Sequence, residues 1–423
     1  MSTDISVTYN FDQGPHQHGI DPDLFLSPRF LGFQYEKILV KAGDNSTLSN
    51  PTCYYLTKGE IVNEIGLQKS ELDTPVLWVD LNKLERNIKV LGAYFREAGV
   101  FWRPHTKGVK VPAIAHKAMA EGALGVTCAK LGEAEIMAAA GITDILVANQ
   151  VVGPQKYLRL VNLCRQADVK IAVDSDATLA ELGQVAVDKG IEVGILIELN
   201  NGMNRAGVSP GAQAVVLARQ VHETPGLCLR GVMAWEGHAC VAEEVEWKKG
   251  EITRAVGEMV DTAQQIRRAG LPCDIVSGGG SGTYKTTPHL EGVTEIQAGG
   301  AIFNDASYST WGVSTDPALF VRVTVTSRPT PERMITDAGW KSLPVWINQP
   351  IPIGVKGVKQ VTASAEHGTV IFESPNTDIQ VGDTIDFMVG YTDVTLFLHD
   401  HLYGIREDVV EVVWPIQARG KLR

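Results

Sequence analysis

Little in this 423-residue chain suits a membrane, a nucleic acid or an oxidising compartment. No apolar run reaches the roughly 18 residues that a bilayer-spanning helix needs. Basic residues are in the minority: 38 Lys and Arg stand against 49 Asp and Glu, for a formal net charge of −11. A phosphate backbone calls for a basic surface, so nucleic acid is not an expected partner, although a locally positive pocket for a small anion stays open. Cysteine is sparse. The six present (Cys53, Cys128, Cys164, Cys228, Cys240 and Cys273) show no C-x-x-C spacing, and several sit in apolar runs such as GVTCA. They read as buried free thiols of a reducing compartment. The opening MSTDISVTYNFDQGPHQHG lacks the basic and apolar regions of a signal peptide. A soluble, cytoplasmic protein is the expectation, and the length predicts more than one domain.

What is present is ordered alternation. Residues 1–72 are polar and irregular, with only ILVKA and TCYYLT resembling strands, and are read as an N-terminal extension. From Thr74 the pattern changes. TPVLWVDL is a compact apolar strand, and it leads into LNKLERNIKVLGAYFREAG, where Leu81, Leu84, Ile88 and Leu91 recur at helical spacing. Further strands follow in FWRPHTK, LGVTCA, DILVANQ, KIAVDS, EVGILIELN, LRGVMAWEGH, CDIVSGGG and TEIQAGG, with helical stretches between several of them. Their continuous apolarity suits strands covered on both faces. Eight or nine such units predict a (β/α)8 TIM-type barrel over residues 73–306, of α/β class, with an open doubly wound sheet, which absorbs this many units less readily, as the alternative. Residues 307–423 lose the helical spacing and alternate in short strands, predicting a separate C-terminal antiparallel β domain.

Barrel chemistry sits at the carboxyl ends of the strands. There, Arg103-Pro104-His105-Thr106-Lys107 ends the first strand after the long helix. A lysine beside another cation and an imidazole suits a Schiff-base nucleophile; the plain alternative is a surface loop, since Lys110 and Lys117 follow closely. Ser277-Gly278-Gly279-Gly280-Ser281-Gly282-Thr283-Tyr284 ends a late strand, where glycines admit an anion to main-chain N–H groups and hydroxyls add donors. Arg205, in the strand-end stretch NNGMNRAG, is placed to hold a negative ring oxygen or to pair on the surface. Glu236 and His238 in WEGH read most simply as a barrel-end hydrogen-bonded pair.

Taken together, RPHTK, GVTCAKLGEAEIMAAAGITDILVANQ, NNGMNRAGV, SGGGSGTY, EIQAGGAIFND, DAGWKS and SAEHG resemble the D-threonine aldolase and D-serine dehydratase group of alanine-racemase-like enzymes, in the same order from about residue 72 to 423. The resemblance implies pyridoxal 5'-phosphate (PLP) as cofactor, held covalently by Lys107. Arg205 would lie near its phenolic oxygen, and Gly280, Ser281, Gly282 and Thr283 would bind its phosphate, with Ser277 and Gly279 in the same turn. His105 would neighbour the lysine, with Thr127 and Gln297 lining the pocket. It further implies a small amino-acid substrate. A β-hydroxy-D-amino acid would undergo retro-aldol cleavage to glycine and an aldehyde, or else dehydration to a keto acid and ammonia. A non-catalytic PLP carrier and a phosphosugar barrel enzyme are the competing classes.

The chain departs from its relatives' pattern in two places. Members bind a divalent metal through a histidine and, two residues on, a cysteine or aspartate of the C-terminal domain. Here the stretch reads Val389-Gly390-Tyr391-Thr392-Asp393-Val394-Thr395. Asp393 remains as anchor for a manganese, magnesium or zinc ion, with His399 or His401 as substitute nitrogen if the chain turns back. Without a metal, Tyr391 would handle the proton. On an extended strand Tyr391 and Asp393 share a face. The second departure is in the pocket floor: Ala301 stands where the group has tyrosine, and so does Trp235. Finally, the open barrel mouth predicts a homodimer in which the β domain of one chain covers the mouth of the other.

Overall fold

The protein is described by a computed structural model covering residues 64–423 and, before them, a short antiparallel pair, β1 (Tyr35–Lys37) and β2 (Tyr55–Thr57). The latter falls within TCYYLT, whereas ILVKA lies outside the described residues.

In the larger unit, β3 (Val76–Asp80) runs into α1 (Leu81–Glu97). Asp80 caps this helix by accepting from the Lys83 N–H at 3.0 Å, and Leu81, Leu84, Ile88, Leu91 and Phe95 bury one stripe of it. Gly99, at φ +73°, allows the chain to leave the helix. Eight parallel strands follow: β4 (Phe101–Trp102), β5 (Val126–Cys128), β6 (Asp144–Gln150), β7 (Asp168–Val173), β8 (Val193–Leu199), β9 (Leu227–Ala234), β10 (Ile275–Gly278) and β11 (Glu295–Ile296). They pair in the order β4-β11-β10-β9-β8-β7-β6-β5. The two edges approach through parallel bridges of Trp102 with Ala123 and His105 with Thr127, curling the sheet round on itself. Covering helices are α2 (Pro112–Ala120), α3 (Leu131–Ala139), α4 (Pro154–Leu163), α5 (Leu179–Asp188), α6 (Ala212–Glu223) and α7 (Val245–Arg268). All seven residues of β8 are buried, as the two-sided covering of a parallel strand demands. This is the α/β barrel architecture that the strand periodicity predicts.

The TPVLWVDL strand, however, belongs to the other sheet. β3 lies between β12 (Leu319–Thr330), to which it is antiparallel, and a later strand, to which it is parallel. After α8 (Ala306–Thr310) and β12, that sheet is completed by β13 (Arg333–Thr336), β14 (Ile351–Pro352), β15 (Val358–Ala363), β16 (Gly368–Phe372), β17 (Thr384–Met388), β18 (His401–Arg406) and β19 (Val409–Pro415). Its order is β15-β16-β13-β12-β3-β18-β19, with β17 also on β12. Leu77 and Val79 face the main core, while Val76 and Trp78 pack with Phe320 and Ile405 on the opposite face. Between β17 and β18 the chain makes one helical turn, α9 (Thr392–Thr395), which touches the turn that carries Lys107. Among the described residues, no helix is long and apolar enough to cross a membrane.

Candidate active site

The barrel strands are parallel, so the residues just beyond their carboxyl ends gather at one mouth. Beyond β4 stands a single 3-10 turn, Thr106–Gly108. It is pinned by the Thr106 hydroxyl, which donates to the Thr127 carbonyl at 3.0 Å, and by the Lys107 N–H, which donates to His105 Nδ1 at 3.4 Å. Burial, reinforced by the charge of Lys107, lowers the His105 pKa to about 3, so this imidazole is neutral.

The three nearby lysines separate cleanly. Lys110 is buried against Glu133, and Lys117 pairs with Glu85 at 2.8 Å. Lys107 keeps 43% of its side chain exposed and places Nζ 2.9 Å from Oδ2 of Asp393. Asp393 reaches it from the β domain of the same chain. The approach is close: a Cβ on Gly108 would lie 2.4 Å from Asp393 Oδ1.

Tyr391 is not on an extended strand as expected. It is the N-cap residue of α9, yet its hydroxyl still donates to Asp393 Oδ2 at 2.9 Å. The Tyr308 hydroxyl donates to Oδ1 at 3.4 Å. Burial opposes ionisation of Asp393, but the Lys107 charge and the bonds from Lys107 and Tyr391 outweigh it and hold its pKa below the usual range. Burial and the Asp393 charge push both phenols well above theirs.

Sequence reasoning missed Tyr308 and Asp305. Asp305 is wholly buried and accepts from the N–H groups of Tyr308 at 2.7 Å and Thr392 at 2.6 Å, so it ties α8 to α9. Burial raises its pKa to about 7. The only signal in the sequence was an aspartate three residues before a tyrosine, which reads as a helix cap. Tyr308 also lies over Gly300, where an added Cβ would meet its ring at 2.0 Å. A phenol from seven residues onward thus reaches the turn at which Ala301 lacks one.

The glycine-rich turn beyond β10 has a backbone shape and unpaired N–H groups that an anion could use. Gly279 has φ +69°, a conformation that favours glycine. An added Cβ on Gly280 would lie 2.4 Å from the Trp235 ring, and one on Gly282 would lie 2.6 Å from Cys240 Sγ. Neither the Ser281 N–H nor the Gly282 N–H has an acceptor among the described residues. Two adjacent free donors on a crowded glycine turn fit a phosphate.

The hydroxyls of this turn divide. Ser281 Oγ accepts from the Ala301 N–H at 2.8 Å and keeps its own proton to donate. Thr283 Oγ1 is already used, donating to Glu236 at 2.7 Å and accepting from the Gly280 N–H at 3.1 Å. Glu236 is not paired with His238. It is fully buried beneath the turn, where the Thr287 hydroxyl at 2.6 Å and the Gly279 N–H at 3.4 Å also reach it. His238 instead bonds Glu251 at 2.7 Å.

The remaining expected pocket residues surround these groups. Ser277 accepts from Gln297 Nε2 at 2.9 Å, and Thr127 donates to the Arg103 carbonyl at 3.2 Å. Arg205 is half exposed, 3.5 Å from the buried Glu198. Its loop is shaped by Asn200, whose side-chain oxygen accepts from the N–H groups of Gly202 and Asn204. Arg103 turns away from Lys107 and pairs with Glu295 and Asp144. An open cavity of about 670 Å³, lined by Asp144, Asp168, Glu192 and Arg230 among others, includes the first residues of β6 and β7 and so lies at the other end of the barrel.

The donors at the mouth therefore fit PLP: an accessible amine at Lys107, an anion cradle at Ser281 and Gly282, and a cation at Arg205. The steric limits of the cradle give a testable consequence. Overpacking costs about 1–3 kcal/mol, so Gly280→Ala should bind PLP about tenfold or more weakly in a spectrophotometric titration of the apo protein. Unchanged affinity would place the phosphate elsewhere.

Comparison with known proteins agrees with this geometry. Residues 79–307 match the family model for the alanine racemase N-terminal domain, and residues 318–405 match that of a serine dehydratase domain. The chain is 35% identical over 359 residues to a D-threonine aldolase of Arthrobacter sp, covering 83% of this chain and 94% of that protein. It is 34% identical over 367 residues to a 3-hydroxy-D-aspartate aldolase of Paracoccus denitrificans (strain Pd 1222), covering 84% and 94%. The crystal structure of D-threonine aldolase from Filomicrobium marinum superposes with a TM-score of 0.82 at 34% identity, covering 85% and 99% of the two chains. A mutant of D-threo-3-hydroxyaspartate dehydratase in the metal-free form superposes at 0.75 with 27% identity, covering 82% and 98%. The chain belongs to the alanine-racemase-like family of β-hydroxy-D-amino-acid aldolases and dehydratases, which are PLP-dependent lyases.

Proposed function

We propose that the protein cleaves a β-hydroxy-D-amino acid, D-threonine being the reference substrate, into glycine and an aldehyde. The observation that carries this reading is the Asp393 carboxylate, which ion-pairs with Lys107 and accepts hydrogen bonds from two phenols. Aldol cleavage needs a group that takes the proton of the β-hydroxyl as the Cα–Cβ bond breaks. Dehydration needs one that gives the hydroxyl a proton as it leaves. A carboxylate held ionised is an acceptor, and so suits the first.

PLP, when bound, supplies an electron sink for the pair released at Cα. Lys107 would hold it covalently, with Ser281 and Gly282 donating main-chain N–H groups to its phosphate and Arg205 balancing negative charge. The fully buried Glu236 keeps the glycine turn in shape by fixing Thr283 and Thr287. His105, neutral at working pH, orients the lysine turn rather than adding charge to it.

The test is a product assay of the purified protein on D-threonine, D-serine and 3-hydroxy-D-aspartate. Aldehyde and glycine in equal amounts are expected. Keto acid with ammonia would replace this reading by the dehydratase one, and no turnover of any of them would leave a PLP-binding protein.

A further inference from the structure

The resemblance anticipates a divalent cation at Asp393, but the surroundings of that carboxylate differ in kind from a cation site. Divalent ions are held by electron-pair donors: imidazole, thiolate, carboxylate or carbonyl oxygen. The side chains that hydrogen-bond or ion-pair with Asp393 are proton donors instead: Lys107 Nζ at 2.9 Å, Tyr391 Oη at 2.9 Å and Tyr308 Oη at 3.4 Å. The neighbouring carboxylate, Asp305, is filled by the N–H groups of Tyr308 and Thr392. The imidazole of His105 accepts from the Lys107 N–H through Nδ1.

Neither substitute histidine makes a hydrogen bond or ion pair with Asp393. His399 Nε2 is bonded to the Ser342 carbonyl at 2.7 Å, and His401 begins β18. Among the described residues, no three of His, Cys, Asp and Glu are grouped to hold an ion. The donor set does not fit a divalent metal.

What stands there in its place is a fixed hydroxyl. The Tyr391 ring is wedged between those of Tyr308, Trp311 and Trp346, with centroids 5.6, 5.7 and 5.8 Å away, and is 8% exposed. Such packing leaves the phenol little freedom except to point at Asp393.

We propose that this protein binds no divalent cation at Asp393, and that the Tyr391 hydroxyl binds the substrate's β-oxygen in its stead. The second half rests on the aldol reading. In that step the β-hydroxyl proton passes to Tyr391 Oη while the Tyr391 proton passes to Asp393 Oδ2. The Cα–Cβ bond breaks, its electron pair stays on Cα, and the β-carbon gains a double bond to oxygen. Asp393 then holds the proton that Cα needs to become glycine.

Two measurements on the PLP-loaded protein decide the two halves. For the cation, elemental analysis and equilibrium dialysis against manganese should give well below one ion per chain, and exhaustive chelation should leave the rate unchanged. Near-stoichiometric metal, with a rate lost to chelator and restored by manganese, would overturn it. This readout does not depend on which bond the enzyme breaks, so it stands or falls apart from the aldol reading. For the hydroxyl, Tyr391→Phe keeps the ring packing and removes one oxygen. It should lower kcat about 10²–10³-fold, the range of positioned proton transfer, with the visible cofactor band and thermal unfolding close to those of the parent. A Tyr391→Phe protein with parental kcat would overturn it.

Discussion

Lys107→Ala should yield a folded protein with no cofactor absorbance in the visible and no measurable lyase activity. The expectation rests on the engagement of the neighbouring lysines among the described residues. Lys110 is buried against Glu133, Lys117 is tied to Glu85, and Lys248 is held by the carbonyls of Cys240 and Trp311 at 3.0 and 2.7 Å. The substitution leaves Asp393 without its cation. Lys107 is 43% exposed, so the stability loss should be about 1 kcal/mol, well short of the ~3–5 kcal/mol of a fully buried pair. Circular dichroism and chemical denaturation check the fold; the absorption spectrum and product assay check the role. A coloured, active variant would remove Lys107 from the site.

The largest effect on stability should come from Arg103, the first residue of the same motif. Its guanidinium is 1% exposed and donates through Nε to both oxygens of the buried Glu295, at 3.0 and 3.1 Å. It also pairs with Asp144, which Lys170 reaches at 2.6 Å. Arg103→Met leaves the Glu295 carboxylate buried without a cation, and should cost about 3–5 kcal/mol. Adding Glu295→Leu removes the stranded charge, so the double variant should recover much of that loss. A single variant within about 1 kcal/mol of the parent would show that the pair contributes little.

The barrel was legible because its strands are largely apolar and alternate with stretches of helical spacing. The same property hid β3. A strand covered on both faces reads as continuously apolar in either sheet, and Val76 and Trp78 find Phe320 and Ile405 rather than a barrel helix. Lys107, Arg205 and the glycine turn were legible as residue types at strand ends. Which hydroxyl of that turn is free was not, because Thr283 is taken by Glu236, 47 residues earlier.

The Lys107–Asp393 pair joins positions far apart in the chain, which only the fold brings together. Tyr391 and Asp393 were read as alternating on a strand. The single turn of α9 delivers both to one place by a different path. Tyr308 gave no sign of its role, since its reach depends on Asp305 fixing α8 against α9.

The most direct test of the account is to reduce the purified PLP-loaded protein with borohydride, digest it and map the pyridoxyl adduct by mass spectrometry. A single adduct on the peptide that contains Lys107 is the predicted result. An adduct on Lys110, Lys117, Lys248 or Lys285, or none at all from a protein that turns over substrate, would contradict it.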